Sequence, residues 1–207
     1  MDIGCGPGRY ALLLASKTEA QIFATDLSRA MVQQGREQAN ANLVCWALSD
    51  ACRLPFADES FDAILLFLVL HQVADPKKAL QEAYRLLRPG GHCLISTHSH
   101  RQLDRQTLFR FFPEARKVNK KRMPSLAKLK DLLRATCFHH LRTKSFTDGT
   151  NYSRESYLEK IRGKPSTSLR AMSEADFQRR YAALEAALAG QECCMEEVMS
   201  TILVARK

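Results

Sequence analysis

Apolar and polar positions change rhythm repeatedly over residues 1–96. Short apolar runs alternate with stretches of helical spacing, and the hand-overs fall at Gly, Pro, Ser or Asp. This pattern predicts strands over 1–3, 21–25, 43–48, 61–67 and 92–96, and helices over 9–16, 30–39 and 76–87. The run 61–67 is almost continuously apolar, as a strand buried on both faces requires. Ser28 stands where an N-cap belongs, Pro76 opens the third helix where a missing N–H costs nothing, and Pro89-Gly90-Gly91 closes it. Strands alternating with helices imply a parallel sheet flanked by helices.

The second half has a different grain. Leu126, Leu129, Leu132 and Leu133 mark one face of an amphipathic helix, with Ser125 as its expected cap. Residues 140–146 and 195–205 read as two late strands, clearest at 201–204. The segment between them, 147–192, reads as a mostly helical insertion. Phe177, Tyr181, Leu184 and Leu188 share a helical stripe there, which ordinary core packing explains. An insertion between two strands can also cap a pocket, so the expected division is a core of 1–146 and 193–207 with a helical cap at 147–192.

Composition narrows the classes. The 207 residues are 45% hydrophobic and 26% charged, ordinary globular values that exclude wholesale disorder. The longest apolar run, 63–70, is far shorter than the ~20 residues of a membrane helix, so no membrane insertion is expected. No basic-then-apolar leader opens the chain. Seven cysteines without scaffold spacing suit reduced thiols and a cytoplasmic protein. The net charge of +9 is local, because residues 101–144 hold thirteen Lys/Arg against three acids. Such a stripe can bind nucleic acid or steer an anionic small-molecule acceptor, and a solvated basic face would look the same.

The chemistry lies in Asp2-Ile3-Gly4-Cys5-Gly6-Pro7-Gly8, where a strand hands over to a helix. Glycines there let the backbone approach a ligand closely. The spacing is GxGxG, and Arg9 stands where a dinucleotide dehydrogenase would carry its third glycine, which argues against a nicotinamide enzyme. Asp26 ends the second strand, where a carboxylate can accept both hydroxyls of a ribose or simply cap the next helix. Asp50-Ala51 ends the third, on the same carboxyl edge where open α/β sheets bind ligands.

With Ala24-Thr25-Asp26-Leu27-Ser28, Ser49-Asp50-Ala51, Leu54-Pro55-Phe56, Phe61-Asp62, Leu70-His71-Gln72 and 85–91, this turn makes the chain resemble the class I S-adenosylmethionine-dependent methyltransferases. The resemblance covers residues 1–96 and is to the small-molecule type that includes quinone-biosynthesis enzymes. It implies a doubly wound, Rossmann-like, mostly parallel sheet with an antiparallel last strand and a variable helical cap. It also implies S-adenosyl-L-methionine as cofactor, with Asp2, Gly4, Gly6 and Gly8 along its methionine portion and Asp26 on the ribose. Leu27 would pack against adenine, Asp50 and Ala51 would meet its amino group and ring, and Phe67 and Leu68 would line the cofactor beyond the fourth strand. His71 would stand near the sulfonium as the first candidate base, with His98 and His100 behind it; a histidine satisfying nearby backbone is the plain alternative. No metal site is expected, since Cys193-Cys194 is adjacent rather than spaced like a clamp. The family carries a longer segment before the glycine turn, whereas only Met1-Asp2-Ile3 stand there in this sequence. The expectation is either a late written start or a shortened form with weakened cofactor binding. Two rival readings accompany methyl transfer: a cofactor-binding scaffold without turnover, and a nucleic-acid methyltransferase using the basic stripe. Against the latter, Phe67-Leu68-Val69-Leu70 replaces the Asn/Asp-Pro-Pro-aromatic signature of enzymes that methylate base amino groups.

Overall fold

The structure, a computed structural model, describes residues 1–207. In chain order the elements are β1 (Asp2–Ile3), α1 (Arg9–Lys17), β2 (Ile22–Asp26), α2 (Arg29–Arg36), β3 (Val44–Leu48), β4 (Phe61–Phe67), α3 (Pro76–Leu86) and β5 (Leu87–Thr97). There follow α4 (His100–Arg105), α5 (Thr107–Phe111), α6 (Pro113–Arg122), α7 (Leu126–Ala135), β6 (His139–Ser153), α8 (Arg154–Arg162), α9 (Thr167–Arg170), α10 (Glu174–Ala187) and β7 (Cys193–Arg206). They form two compact units. The first comprises Met1–Thr97, Leu126–Lys144 and Ile202–Lys207, and the second His98–Ser125 and Ser145–Thr201. The segment 147–192 falls in the second unit, together with α4 to α6.

The sheet runs in the order β3-β2-β1-β4-β5-β7-β6. Asp2 of β1 lies parallel to Ala24 on one side and Leu65 on the other, while β2–β3 and β4–β5 are also parallel. The one antiparallel strand is β7, tied to the start of β5 by Gly90 N–H on Lys207 O and Lys207 N–H on Gly91 O, each 3.0 Å. Strand order therefore reverses between β1 and β4, which is where such sheets open a crevice at their carboxyl ends.

Local sequence explains most of this. Ser28 accepts from Met31 N–H and caps α2, and Asp75 accepts from Lys78 N–H ahead of Pro76 in α3. Residues 61–67 form β4 as expected, with Ile64 and Leu66 wholly buried against Leu80, Ala83 and Leu86 of α3 and Leu129 and Leu133 of α7. Truncating one such leucine to alanine would cost about 2–5 kcal/mol. Three boundaries differ from expectation, the first being α2, which ends at Arg36 rather than 39. β5 starts at Leu87 rather than 92, because Leu87 already pairs with Phe61 of β4 ahead of a register shift, and Gly90 at φ 81° then turns the backbone onto Lys207. β6 continues to Ser153, through Thr147-Asp148-Gly149-Thr150-Asn151, which reads as loop but pairs with the distant β7. The ladder closes where Arg154 N–H meets Glu192 O at 3.1 Å.

The second unit has its own core. Leu103, Phe109 and Phe112 pack with Tyr157, Ile161, Leu169, Phe177 and Leu184, so the expected Phe177–Leu184 stripe is core. Ser99 and Gln102 make a capping box on α4, and Ser153 and Ser173 cap α8 and α10. No helix is long and apolar enough to cross a membrane.

Candidate functional site at the carboxyl edge of the sheet

The glycine turn after β1 is held by Thr25 at the end of β2, whose carbonyl accepts from Gly4 N–H at 2.7 Å and Cys5 N–H at 2.9 Å. Gly4, Gly6 and Gly8 all have positive φ (68°, 55° and 82°), a region costly for other residues. Their surroundings differ. A Cβ on Gly4 would lie 2.1 Å from Val69, and one on Gly8 2.1 Å from the Trp46 indole, whereas one on Gly6 would meet nothing within 4 Å. Gly4 and Gly8 are thus forced by protein packing, and Gly6 presents bare backbone to open space.

Asp26 sits against that open face. Its Oδ2 accepts from Gly6 N–H and its Oδ1 from Ser28 N–H, both at 2.8 Å. The carboxylate is fixed by two amides, and each oxygen keeps a further lone pair for another donor. Beside it Leu27 is 72% exposed, a large apolar side chain left bare at the strand end. Asp2 is the buried counterpart: only 2% exposed, with Oδ2 lacking any partner. Burial is the main cause that lifts its pKa to about 6, opposed by the amino terminus and reinforced by Asp26. An orphaned buried carboxyl oxygen beside an amide-lined turn suits a cationic or hydrogen-bonding ligand group.

At the end of β3, Asp50 Oδ1 accepts from Cys52 N–H at 2.9 Å, and Ala51 packs on the core while remaining partly exposed. Phe67 ends β4, its ring edge-on to Tyr10 at 4.8 Å. Leu68 has φ 53°, held by its N–H on Ser96 O at 3.0 Å. Strain of this kind gathers where a backbone must be aimed. Asp2, the three glycines, Asp26, Leu27, Asp50, Ala51, Phe67 and Leu68 therefore all stand at the carboxyl ends of β1 to β4 or in the turns leaving them. His71 follows β4 by four residues and is partly buried. His98 and His100 differ: His98 Nδ1 lies 2.6 Å from Met199 O and His100 Nε2 3.0 Å from Met123 O, within the second unit. Both are held on main-chain carbonyls, and burial depresses the pKa of His98.

Sequence reasoning passed over the packing that shapes the turn. Trp46 fills the space left by Gly8 and also by Gly35, where a Cβ would stand 2.5 Å from the indole. The available signal was a glycine inside α2, where helix propensity alone would disfavour it. A cavity of about 600 Å³ is lined by Ile22, Phe23, Phe61 and Ala63 among others, where these strands extend past the first paired residue of β1. Asp2, Tyr10 and Phe67 also line it, so the cavity reaches two of the candidate cofactor residues.

Residues 1–95 match the family model described as the methyltransferase domain. The fold is that of a class I methyltransferase. A ubiquinone/menaquinone biosynthesis C-methyltransferase of Desulfotalea psychrophila is 36% identical over 95 residues, covering 45% of this chain and 39% of that protein. The chain thus matches about two fifths of the length of that curated relative. A protein of Anabaena variabilis described as a methyltransferase of an antibiotic biosynthesis pathway superposes with a TM-score of 0.79, 21% identical, covering 99% of this chain and 88% of that one. A phosphoethanolamine N-methyltransferase of Haemonchus contortus in complex with S-adenosyl-L-methionine superposes at 0.62, 23% identical, covering 100% of this chain and 47% of that one.

Proposed function

We propose that this chain transfers a methyl group from S-adenosylmethionine to a small organic acceptor. The observation that carries the reading is the Asp26 carboxylate, fixed by the amides of Gly6 and Ser28 between a bare glycine backbone and an exposed leucine. When bound, the cofactor supplies a methyl group activated on a positively charged sulfur. The residues divide the work of holding it. Asp26 offers its free lone pairs to the ribose hydroxyls, Leu27 covers one face of the adenine, and Asp50 and Ala51 receive its edge. Asp2 meets the methionine ammonium with its orphaned oxygen, and Gly6 lets the chain pass close. Phe67 and Leu68 line the path beyond β4. An in-line displacement with a good leaving group asks mainly for alignment and exclusion of water. Where the acceptor must lose a proton, His71 takes it, because it stands four residues beyond the end of β4 on the edge that carries the candidate cofactor residues.

The second unit, with a core of its own, selects the acceptor. Lys117, Lys121 and Arg122 of α6 favour an anionic one, while Arg116 and Lys120 of the same helix are engaged by Asp104. The seven free cysteines suit a reducing compartment such as the cytoplasm. Calorimetry with S-adenosylhomocysteine and with NAD tests the reading: the sulfur compound binds and the dinucleotide does not, whereas the reverse would remove it.

A further inference from the structure

We propose that Glu82 and Arg85 of α3 are positioning residues for the adenine end of the site, holding Asp50 where it reads the amino group of the base. This role rests on the cofactor binding proposed above and falls to two side chains that stand outside the site itself. Residues 49–60 join β3 to β4 with no helix and no ladder beyond the single bridge between Asp50 and Arg53. A ligand group on such a loop is placed reproducibly only where the residues around it lock its backbone.

The upstream tie is Ser49 N–H on Asp26 O at 3.0 Å. The turn then closes on itself, with Arg53 N–H on Asp50 O and Cys52 N–H on Asp50 Oδ1, each 2.9 Å. The downstream tie comes from α3. Glu82 Oε2 accepts from Leu54 N–H at 2.8 Å, and Arg85 Nη2 donates to Leu54 O at 3.1 Å, so one helix grips both main-chain groups of Leu54. Arg85 Nη1 donates to Phe56 O at 2.8 Å and to Asp58 Oδ1 at 2.7 Å. Glu82 holds the guanidinium in turn, through Nε at 2.8 Å and Nη2 at 2.9 Å. These bonds occupy the whole planar fork, which a lysine ammonium cannot imitate. Burial of the Leu54 side chain fixes its depth, and the two bonds to its backbone fix the direction in which the chain leaves the turn. Asp50 is thereby held from β2 on one side and from α3 on the other. The base itself reports the placement. Adenine presents an amino donor to the Asp50 carboxylate, whereas hypoxanthine presents a carbonyl oxygen there, an acceptor against an acceptor.

Calorimetric titration of the full chain with S-adenosylhomocysteine and with its inosine analogue tests this. The wild type should prefer the adenine compound about 10- to 100-fold, as expected when an acceptor is left facing an acceptor. Arg85→Lys, which loses the fork, and Glu82→Gln, which leaves one acceptor oxygen where two are used, should each cut that preference to about threefold or less. Asp58→Ala removes only a partner of the guanidinium that is 72% exposed and should keep the preference. A brace of the fold alone would lower the melting temperature of the first two variants and leave the preference of the folded protein intact. A wild type that binds both compounds equally, or Arg85→Lys and Glu82→Gln proteins that keep the full preference, overturns the proposal. So does an equal loss in Asp58→Ala, which would trace the effect to general loosening. A wild type that binds neither compound removes the methyl-transfer reading, and this role with it.

Discussion

Asp2 and Asp26 face one turn in different states, and their difference is measurable. Asp26 is secured by two amides, whereas Asp2 is buried with its pKa raised from 3.8 to about 6. An acid with a raised folded pKa binds more protons folded than unfolded, so the stability associated with Asp2 declines as pH rises from about 3.8 to about 6 and is flat above. Under the role proposed for Asp2, cofactor affinity should run the other way, because only the ionised form would attract an ammonium group. Binding measured from pH 5 to 8 should strengthen through about pH 6 and level off, and Asp2→Asn should abolish that dependence. His71 is tested on the chemical step: His71→Gln should lower kcat about 100-fold for an acceptor that must lose a proton, with cofactor affinity unchanged. A loss of affinity matching the loss of kcat would mean that the residue positions rather than transfers.

Among the elements, the junction of α1, α2 and β3 shows how packing overrides propensity. Gly35→Ala in an ordinary helix would gain up to about 1 kcal/mol. Here the new methyl would stand 2.5 Å from Trp46, and overpacking costs about 1–3 kcal/mol, so the variant should be less stable than wild type. In a Trp46→Phe background, which lacks the clashing ring atoms, the same substitution should become neutral or stabilising. Thermal melts of the four proteins decide it. This contact also marks what was legible in the sequence. The strand at 61–67, the Ser28 cap and the glycine turn are written in local pattern, and each stands where the pattern puts it. The early start of β5 and the long β6 are not, because Leu87 pairs with Phe61 across a register shift, and β6 pairs with β7 about fifty residues away along the chain. Polar strands such as 147–153 carry no period that separates them from loop. The candidate ligand residues were legible because they sit at predicted strand ends; Val69 and Trp46, which hold the turn from behind, were not.

At the scale of the whole molecule, the second unit is more than one insertion. Its core joins Leu103, Phe109 and Phe112 to residues 157–188, so removing 147–192 alone would bare those side chains and invite aggregation. The informative variant removes both His98–Ser125 and Ser145–Thr201 with Gly/Ser connections, leaving the first unit complete. That protein should fold and keep most of its cofactor affinity while losing turnover. Loss of cofactor binding together with turnover in a folded variant would contradict a division of labour between the units.

The central claim is that the amide-held Asp26 carboxylate grips a sulfonium nucleoside, and calorimetric titration of S-adenosylhomocysteine into wild type and Asp26→Ala tests it most directly. A single site should appear in the wild type, weakened by about 1–3 kcal/mol in the variant, as expected when a charge-assisted acceptor is lost. Equal affinities with only a lowered melting temperature would reduce Asp26 to a brace for the glycine turn, and a wild type that gives no heat would contradict the account itself.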